Sequence, residues 1–281
     1  MTDVLIFVIG MLVSAFGTVV GFGGSVFMVP ILIIFFDFPM PIAIGSSMAA
    51  LLPASLISSF FNYREKNIDY LVGSLIQLPA VAGTILGSFL VAFLPVLELQ
   101  FTFAFFVIVV GALMLLPRKN KGTDARKQGM MYRIRRMPTS FIRKNRPQNL
   151  AYRLNGGIIA LFGTFSGVIA GLFGIGGGFL QTPVMIRLFK MPPHIATSTS
   201  LFILVITSLT GFITHYMLNH ILLYKSVALV LGFSVGALGG RLYKKQKKVK
   251  LKLDYLIGFG LLLAGLGVIV NVVLRSGLLK V

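Results

Sequence analysis

The chain has no cysteine and only seven carboxylates. The first absence excludes a disulfide framework, a thiolate metal site and a cysteine nucleophile, and it leaves the redox compartment unconstrained. The second excludes more. Asp3, Asp37, Glu65, Asp69, Glu98, Asp124 and Asp254 all fall near loops or at the ends of apolar runs. A proton or sodium pathway built on an acid in mid-membrane is therefore not expected. No Ser-His-Asp set and no metal cluster is recognisable among His194, His215, His220 and these acids. The chain reads as neither an enzyme nor a metalloprotein, and no cofactor is expected.

Charge itself is scarce. Charged residues make up 12% of the 281 and hydrophobic ones 56%, with mean hydropathy +0.92, where an average soluble domain carries about 25% charge. Almost every segment between loops is an apolar run near the ~20 residues needed to cross ~30 Å of hydrocarbon. This is the composition of a multi-pass membrane protein, expected in a cell membrane of prokaryotic type. The start of the chain is not read as a secretory signal, because Asp3 replaces the basic n-region. The net charge of +19 could suggest nucleic acid. The basic residues instead gather in two loops, as they do on the cytoplasmic side of membrane proteins, facing anionic lipid.

The sequence is one unit written twice. Aligning Pro30 with Pro183 sets an offset of 153 that needs no gap downstream. Gly21 then falls on Gly174, Gly23 on Gly176, Gly24 on Gly177 and Ser25 on Gly178. Ala43 meets Ala196, Ser46 meets Thr199, Ser47 meets Ser200, Tyr63 meets Tyr216, Gly83 meets Gly236 and Gly87 meets Gly240. Residues 1–117 form the first repeat, 118–153 a basic linker and 154–281 the second repeat. In each repeat, an apolar span runs into the glycine string, a short apolar piece follows, and three full spans come after. The short pieces, Val26 to Phe36 and Phe179 to Phe189, are each too short to cross alone at ~1.5 Å per residue. In the linker, a basic interfacial helix is expected around Met130–Arg136.

Equivalent loops carry opposite labels. The lysine run Lys244–Lys252 maps onto Val91–Leu99, which has no lysine or arginine; the Arg64/Lys66 loop maps onto His215–Asn219, which has none either, and the Arg187/Lys190 turn onto Ile34–Asp37, again with none. With basic loops on the cytoplasmic side, the two units sit oppositely in the membrane, the plan of many secondary transporters. The expected fold is all-α and polytopic: two inverted-topology repeats, each a glycine-broken helical hairpin or re-entrant segment plus three transmembrane helices. That makes about ten segments with both termini outside, where Arg275 and Lys280 would be a mild violation of the charge rule.

Glycine costs roughly 1 kcal/mol relative to alanine inside a helix, so Gly176–Gly178 should interrupt one. A break at membrane depth is tolerated only where the freed backbone groups face protein or a polar cavity. Consecutive small residues at a helix start also aim several N–H groups one way, and with the positive end of the helix dipole they can hold an anion. The candidate substrate-binding residues are Gly21, Gly23, Gly24, Ser25, Ser46 and Ser47 in the first repeat. Those in the second are Gly174, Gly176, Gly177, Gly178, Gln181, Thr182, Thr199 and Ser200. His215, flanked by Tyr216 and matched to Asn62 beside Tyr63, is the candidate for proton coupling; His194 and His220 are placed in turns. Gly83, Gly87, Gly236, Gly239 and Gly240 are assigned instead to close helix packing. A dinucleotide fingerprint is rejected, since the context is membrane-apolar and Thr197-Ser198-Thr199 stands where an acid is needed.

At the string Gly21-Phe22-Gly23-Gly24…Pro30 with Ala43-x-x-Ser46-Ser47, and at its second copy Gly171-Leu172-Phe173-Gly174-Ile175-Gly176-Gly177-Gly178…Pro183 with Ala196-Thr197-Ser198-Thr199-Ser200-Leu201, the chain resembles the TauE/SafE sulfite exporter family. These proteins are also called toluenesulfonate uptake permeases, and the resemblance covers nearly the whole chain. It implies a secondary transporter of a small sulfur-containing anion such as sulfite, sulfoacetate or another organosulfonate, working by alternating access. An anion channel on the same scaffold, or a transporter of another small organic anion, stays open at this point. So do transport direction, coupling ion and oligomeric state, a homodimer being one option. Two departures stand out: Ser25 in place of a third glycine in the first break, and a long basic linker.

Overall fold

In the computed structural model, the described residues are 2–115, 140–145, 150–246 and 253–276. Ten helices lie among them. The first repeat holds α1 (Thr2–Val20), α2 (Ser25–Phe36), α3 (Met40–Arg64), α4 (Tyr70–Phe93) and α5 (Val96–Leu115). The second holds α6 (Gly156–Phe173), α7 (Gly178–Arg187), α8 (Pro193–Met217), α9 (Leu223–Gln246) and α10 (Leu253–Ser276). Eight are long and apolar enough to cross a membrane. The exceptions are α2, of 12 residues, and α7, of 10. The architecture is that of an all-α polytopic membrane protein.

The duplication extends to the backbone. Among the described residues, the glycines with positive φ are Gly21, Gly23 and Gly24 and their equivalents Gly174, Gly176 and Gly177. The non-glycine residues with positive φ are likewise matched: Asp37 with Lys190, and Lys66 with Asn219. Helices α3 and α8 both start behind a proline N-cap with almost the same dihedrals, φ −54° and ψ 140° at Pro39 and φ −56° and ψ 139° at Pro192.

Packing repeats too, with partners exchanged between the halves. Ser55 and Ser208, equivalent residues, face each other with their hydroxyls 3.4 Å apart. Helix α1 lies along α9, and α4 along α6, in glycine-on-carbonyl ladders. A Cβ on Gly83 or Gly87 would come within 3.0 Å of the Thr164 or Val168 carbonyl. One on Gly236 or Gly240 would do the same at Met11 or Ala15. Glycine at these steps lets two backbones approach in a medium that offers helices no hydrophobic drive to associate; Gly239, by contrast, faces open space. Equivalent helices α3 and α8 run antiparallel: Gly45 near the start of α3 faces the His220 carbonyl after the end of α8, and Met48 lies against Gly211.

Two expectations are revised. The apolar span leading into the second break is expected from Leu154, but Leu150–Asn155 is a strand, β2, paired antiparallel with β1 (Ser140–Asn145). Helix α6 begins only at Gly156, because the Asn155 side chain caps it by accepting from the Ile158 N–H at 3.1 Å. His194 sits in the first turn of α8 rather than in a turn between helices. The interfacial helix expected around Met130–Arg136 lies outside the described residues. Arg275, the mild violation, pairs with Asp37.

Candidate functional site

Each glycine break is a sharp turn between a helix that ends and a short helix that starts. Helix α1 stops at Val20, with the Gly21, Phe22 and Gly23 N–H groups folding back on the Gly17 carbonyl. Helix α2 then starts behind Gly24, at φ 90°, with no side-chain cap. In the second repeat, α7 starts behind Gly177 at φ 72°, again uncapped. Part of each start turns back on its own loop, the Phe27 N–H on the Gly24 carbonyl, Gly178 on Gly176 and Leu180 on Gly177. No side chain caps the remaining first-turn N–H groups, which lie at the positive end of the helix dipole. Pro30 and Pro183 occupy the sixth position of their helices and so deny an N–H to the Val26 and Phe179 carbonyls one turn back.

The two breaks meet. Phe22 and Phe179 touch edge to face with ring centres 5.5 Å apart, and a Cβ on Gly178 would lie 4.0 Å from the Phe22 Cα. Each break also packs on the long helix of the other repeat, Gly21 against Thr197 of α8 and Gly174 against Ile44 of α3. Leu51 and Leu204, equivalents of one another, stand over both breaks and fill the space a Cβ on Gly23 or Gly176 would need.

The polar side chains divide into two sets. In the second repeat they are partnered. Thr182 Oγ1 lies 2.7 Å from Ser200 Oγ, which is 3.3 Å from the Gly21 carbonyl. Gln181 Nε2 donates to Ser166 Oγ at 3.2 Å, and Thr207 Oγ1 donates to the Gly176 carbonyl at 3.1 Å. In the first repeat the Ser25 and Ser47 hydroxyls are fully buried with no hydrogen-bond partner, and Gln181 Oε1 shares that condition. The difference follows from the sequence: Val29 stands where the second repeat has Thr182, so Ser47 lacks the hydroxyl that Ser200 enjoys. A buried polar group left unsatisfied costs about 1–3 kcal/mol. Such groups beside two uncapped helix starts are chemically suited to a small anion.

Not every candidate joins this centre. Ser46 pairs instead with Ser226 of α9 at 2.8 Å, and Thr199 Oγ1 accepts from the Asp69 N–H at 3.1 Å. His215 is fully buried, but its companions are His220, with Nδ1 atoms 3.1 Å apart, and the Gly171 carbonyl at 2.9 Å. Tyr63 and Tyr216 are exposed, at 62% and 53%, and do not converge on it. Sequence reasoning passed over Ser166, Thr207 and the leucine pair; the 153-residue match of Leu51 with Leu204 was the available signal.

His220 lies outside the span and is half-buried, and burial lowers its pKa below the ordinary 6.5. Its neutral form is therefore favoured by folding. The stability it contributes is present above the unfolded-state pKa and is lost as pH falls through the lower folded value. The melting temperature of the purified protein should drop between about pH 7 and pH 5. His220→Gln should flatten that drop; an unchanged slope removes His220 from the effect.

Paired discontinuous helices in a duplicated bundle of membrane-crossing helices define a polytopic membrane transporter. A family profile described as "Sulfite exporter TauE/SafE" matches residues 6–268. The chain belongs to that family, and it is a multi-pass cell-membrane transporter rather than an enzyme. Two relatives come from Bacillus subtilis. "Probable membrane transporter protein YunE" is 28% identical over 255 residues, covering 88% of this chain and 90% of its own. "Probable membrane transporter protein YdhB" is 29% identical over 238 residues, covering 83% and 87%. From Methanocaldococcus jannaschii, "Probable membrane transporter protein MJ0441" is 26% identical over 221 residues, covering 76% and 73%. No solved structure matches the chain.

Proposed function

We propose that this transporter moves a small sulfur-containing anion, sulfite, sulfoacetate or another organosulfonate, by alternating access, and that it binds the anion between the two repeats. The observation that carries the reading is the meeting of two uncapped helix starts beside buried, unpartnered oxygens on Ser25, Ser47 and Gln181. Backbone N–H groups and hydroxyls together suit a group that spreads negative charge over several oxygens. The sulfur class follows the family description. In this reading the repeats sit oppositely in the bilayer, and the antiparallel course of α3 and α8 supports it. Inward- and outward-facing states are then exchanged forms of one packing.

The transport test is uptake of sulfite and sulfoacetate into proteoliposomes. Saturating flux, accelerated by substrate on the far side, supports a carrier; linear flux with no acceleration points to a channel on the same scaffold. Sulfate and carboxylate anions of similar size, run alongside, distinguish a sulfur-specific site from a general anion site. Because the chain has no cysteine, topology can be tested with single reporters. Lys66→Cys and Asn219→Cys occupy equivalent turns with φ 55° and 57°. A membrane-impermeant maleimide should reach them from opposite sides. Labelling from a common side would end the inverted reading.

A further inference from the structure

The β1–β2 hairpin reaches back onto the first repeat. Asp69, between α3 and α4, has a fully buried carboxylate that caps α4 by accepting from the Val72 N–H at 3.3 Å. It also accepts from the Tyr152 hydroxyl of β2 and pairs with Arg143 of β1 at 3.5 Å. The backbone N–H of the same residue donates to Thr199 Oγ1 of α8, across the boundary between repeats. On the same face, Arg241 near the end of α9 pairs with Glu65 and donates to Asn62 Oδ1 at 3.1 Å. The turn that joins α3 to α4 is thus tied to the second repeat at two points, by the Asp69 N–H on Thr199 and by the Arg241–Glu65 ion pair, and to the hairpin by the Asp69 carboxylate.

These ties break the symmetry of the molecule. The residues equivalent to Asp69, Glu65 and Arg241 are Leu222, Leu218 and Ser88, so the turn between α8 and α9 has no such clamp. Across the repeat boundary, the opposite face has the neutral Ser46–Ser226 hydroxyl pair and the Asp37–Arg275 pair. That ion pair is exposed at 69% and 55%, and exposed pairs contribute little, about 0–1 kcal/mol. A buried carboxylate is different, because separating it from its cation and its donors leaves an unpaired buried charge.

We propose that the hairpin is a latch. Arg143 and Tyr152 hold Asp69, and through it the α3–α4 turn, against the second repeat, so that the face bearing the linker stays closed until the latch releases. The proposal rests on the reading that the repeats move relative to each other. A biased carrier of this kind spends most of its time closed on the linker side. Anything that pulls on the linker shifts that balance by the difference in its affinity for the two states.

The absence of cysteine makes the test direct. Ser47→Cys places one thiol at a fully buried, unpartnered position on α3, one helical turn from both Ile44 and Leu51, which pack on the glycine breaks. In substrate-free proteoliposomes, a membrane-impermeant maleimide is confined to the side on which a protease cuts the linker, and the labelling rate is read. Arg143→Gln and Tyr152→Phe should each raise that rate several-fold. Together they should raise it about tenfold, the effect of about 1.4 kcal/mol. Adding Asp69→Asn to the double variant should change little, since all three act through one carboxylate. Rates unchanged in both single variants overturn the latch, as does a further tenfold gain from Asp69→Asn. If labelling responds as expected while protein with Ser47 intact shows no flux, the transport reading fails and the latch stands.

Discussion

Gly24→Val should abolish flux and lower the melting temperature. Gly24 holds φ 90°, and a Cβ there would come within 3.0 Å of the Val13 carbonyl. A β-branched residue in that backbone region is a genuine outlier, and the strain adds about 1–3 kcal/mol to the cost of the clash. That single variant would confuse misfolding with loss of function, so a graded series is needed. Gly177→Ala meets nothing closer than Gln181 Nε2 at 3.3 Å. Its main burden is therefore the left-handed backbone, about 1–2 kcal/mol, with a small shift of the Gln181 amide, and it should reach the membrane folded with flux sharply reduced. Gly239→Ala is the control. Gly239 lies inside α9 with nothing within 4 Å of an added Cβ and touches neither break. Flux in Gly239→Ala close to the unmodified protein, and lost in Gly177→Ala at equal abundance in the membrane, ties transport to the break geometry. Equal flux in all three variants removes the breaks from the mechanism.

How far the sequence reached depends on which physical rule each element obeys. The spans were legible because hydrocarbon demands long apolar helices and tolerates little else. The breaks were legible because glycine clusters at fixed offsets have few other uses at that depth. Gly83 and Gly87 were legible as packing steps for the same reason. The hairpin was not. Arg143 and Arg153 sit in a basic stretch that reads as a solvated linker, and the only strand signal was the alternation Leu150, Tyr152, Leu154. Strand pairing is decided by a partner segment, so six residues give weak evidence of it. Asp69 looked like an ordinary acid at a span end. Its burial depends on Tyr152 and Thr199, 83 and 130 residues further along the chain. Tyr216 does not converge on His215 because adjacent helix residues point about 100° apart, a consequence of 3.6 residues per turn, and Tyr63 is exposed on another helix, α3.

The unpartnered hydroxyls give the sharpest separation of stability from function. Removing a buried group that makes no hydrogen bond should not destabilise the fold. Ser25→Ala and Ser47→Ala should therefore leave the melting temperature unchanged or raise it, since about 1–3 kcal/mol of unmet desolvation is relieved. If the transported anion is what satisfies these oxygens, each substitution also removes a hydrogen bond to a charged group, about 1.5–3 kcal/mol. The KM for flux should then rise about tenfold or more in each single variant. In the double variant it should rise by roughly the product, provided the two serines contact the anion independently. Ser200→Ala behaves differently. Its hydroxyl already engages Thr182 and the Gly21 carbonyl, so it should lose stability, with any change in KM secondary to that. A stable Ser25→Ala/Ser47→Ala protein with an unaltered KM would mean that these oxygens stay empty during transport. The anion would then have to be held by the bare helix starts alone.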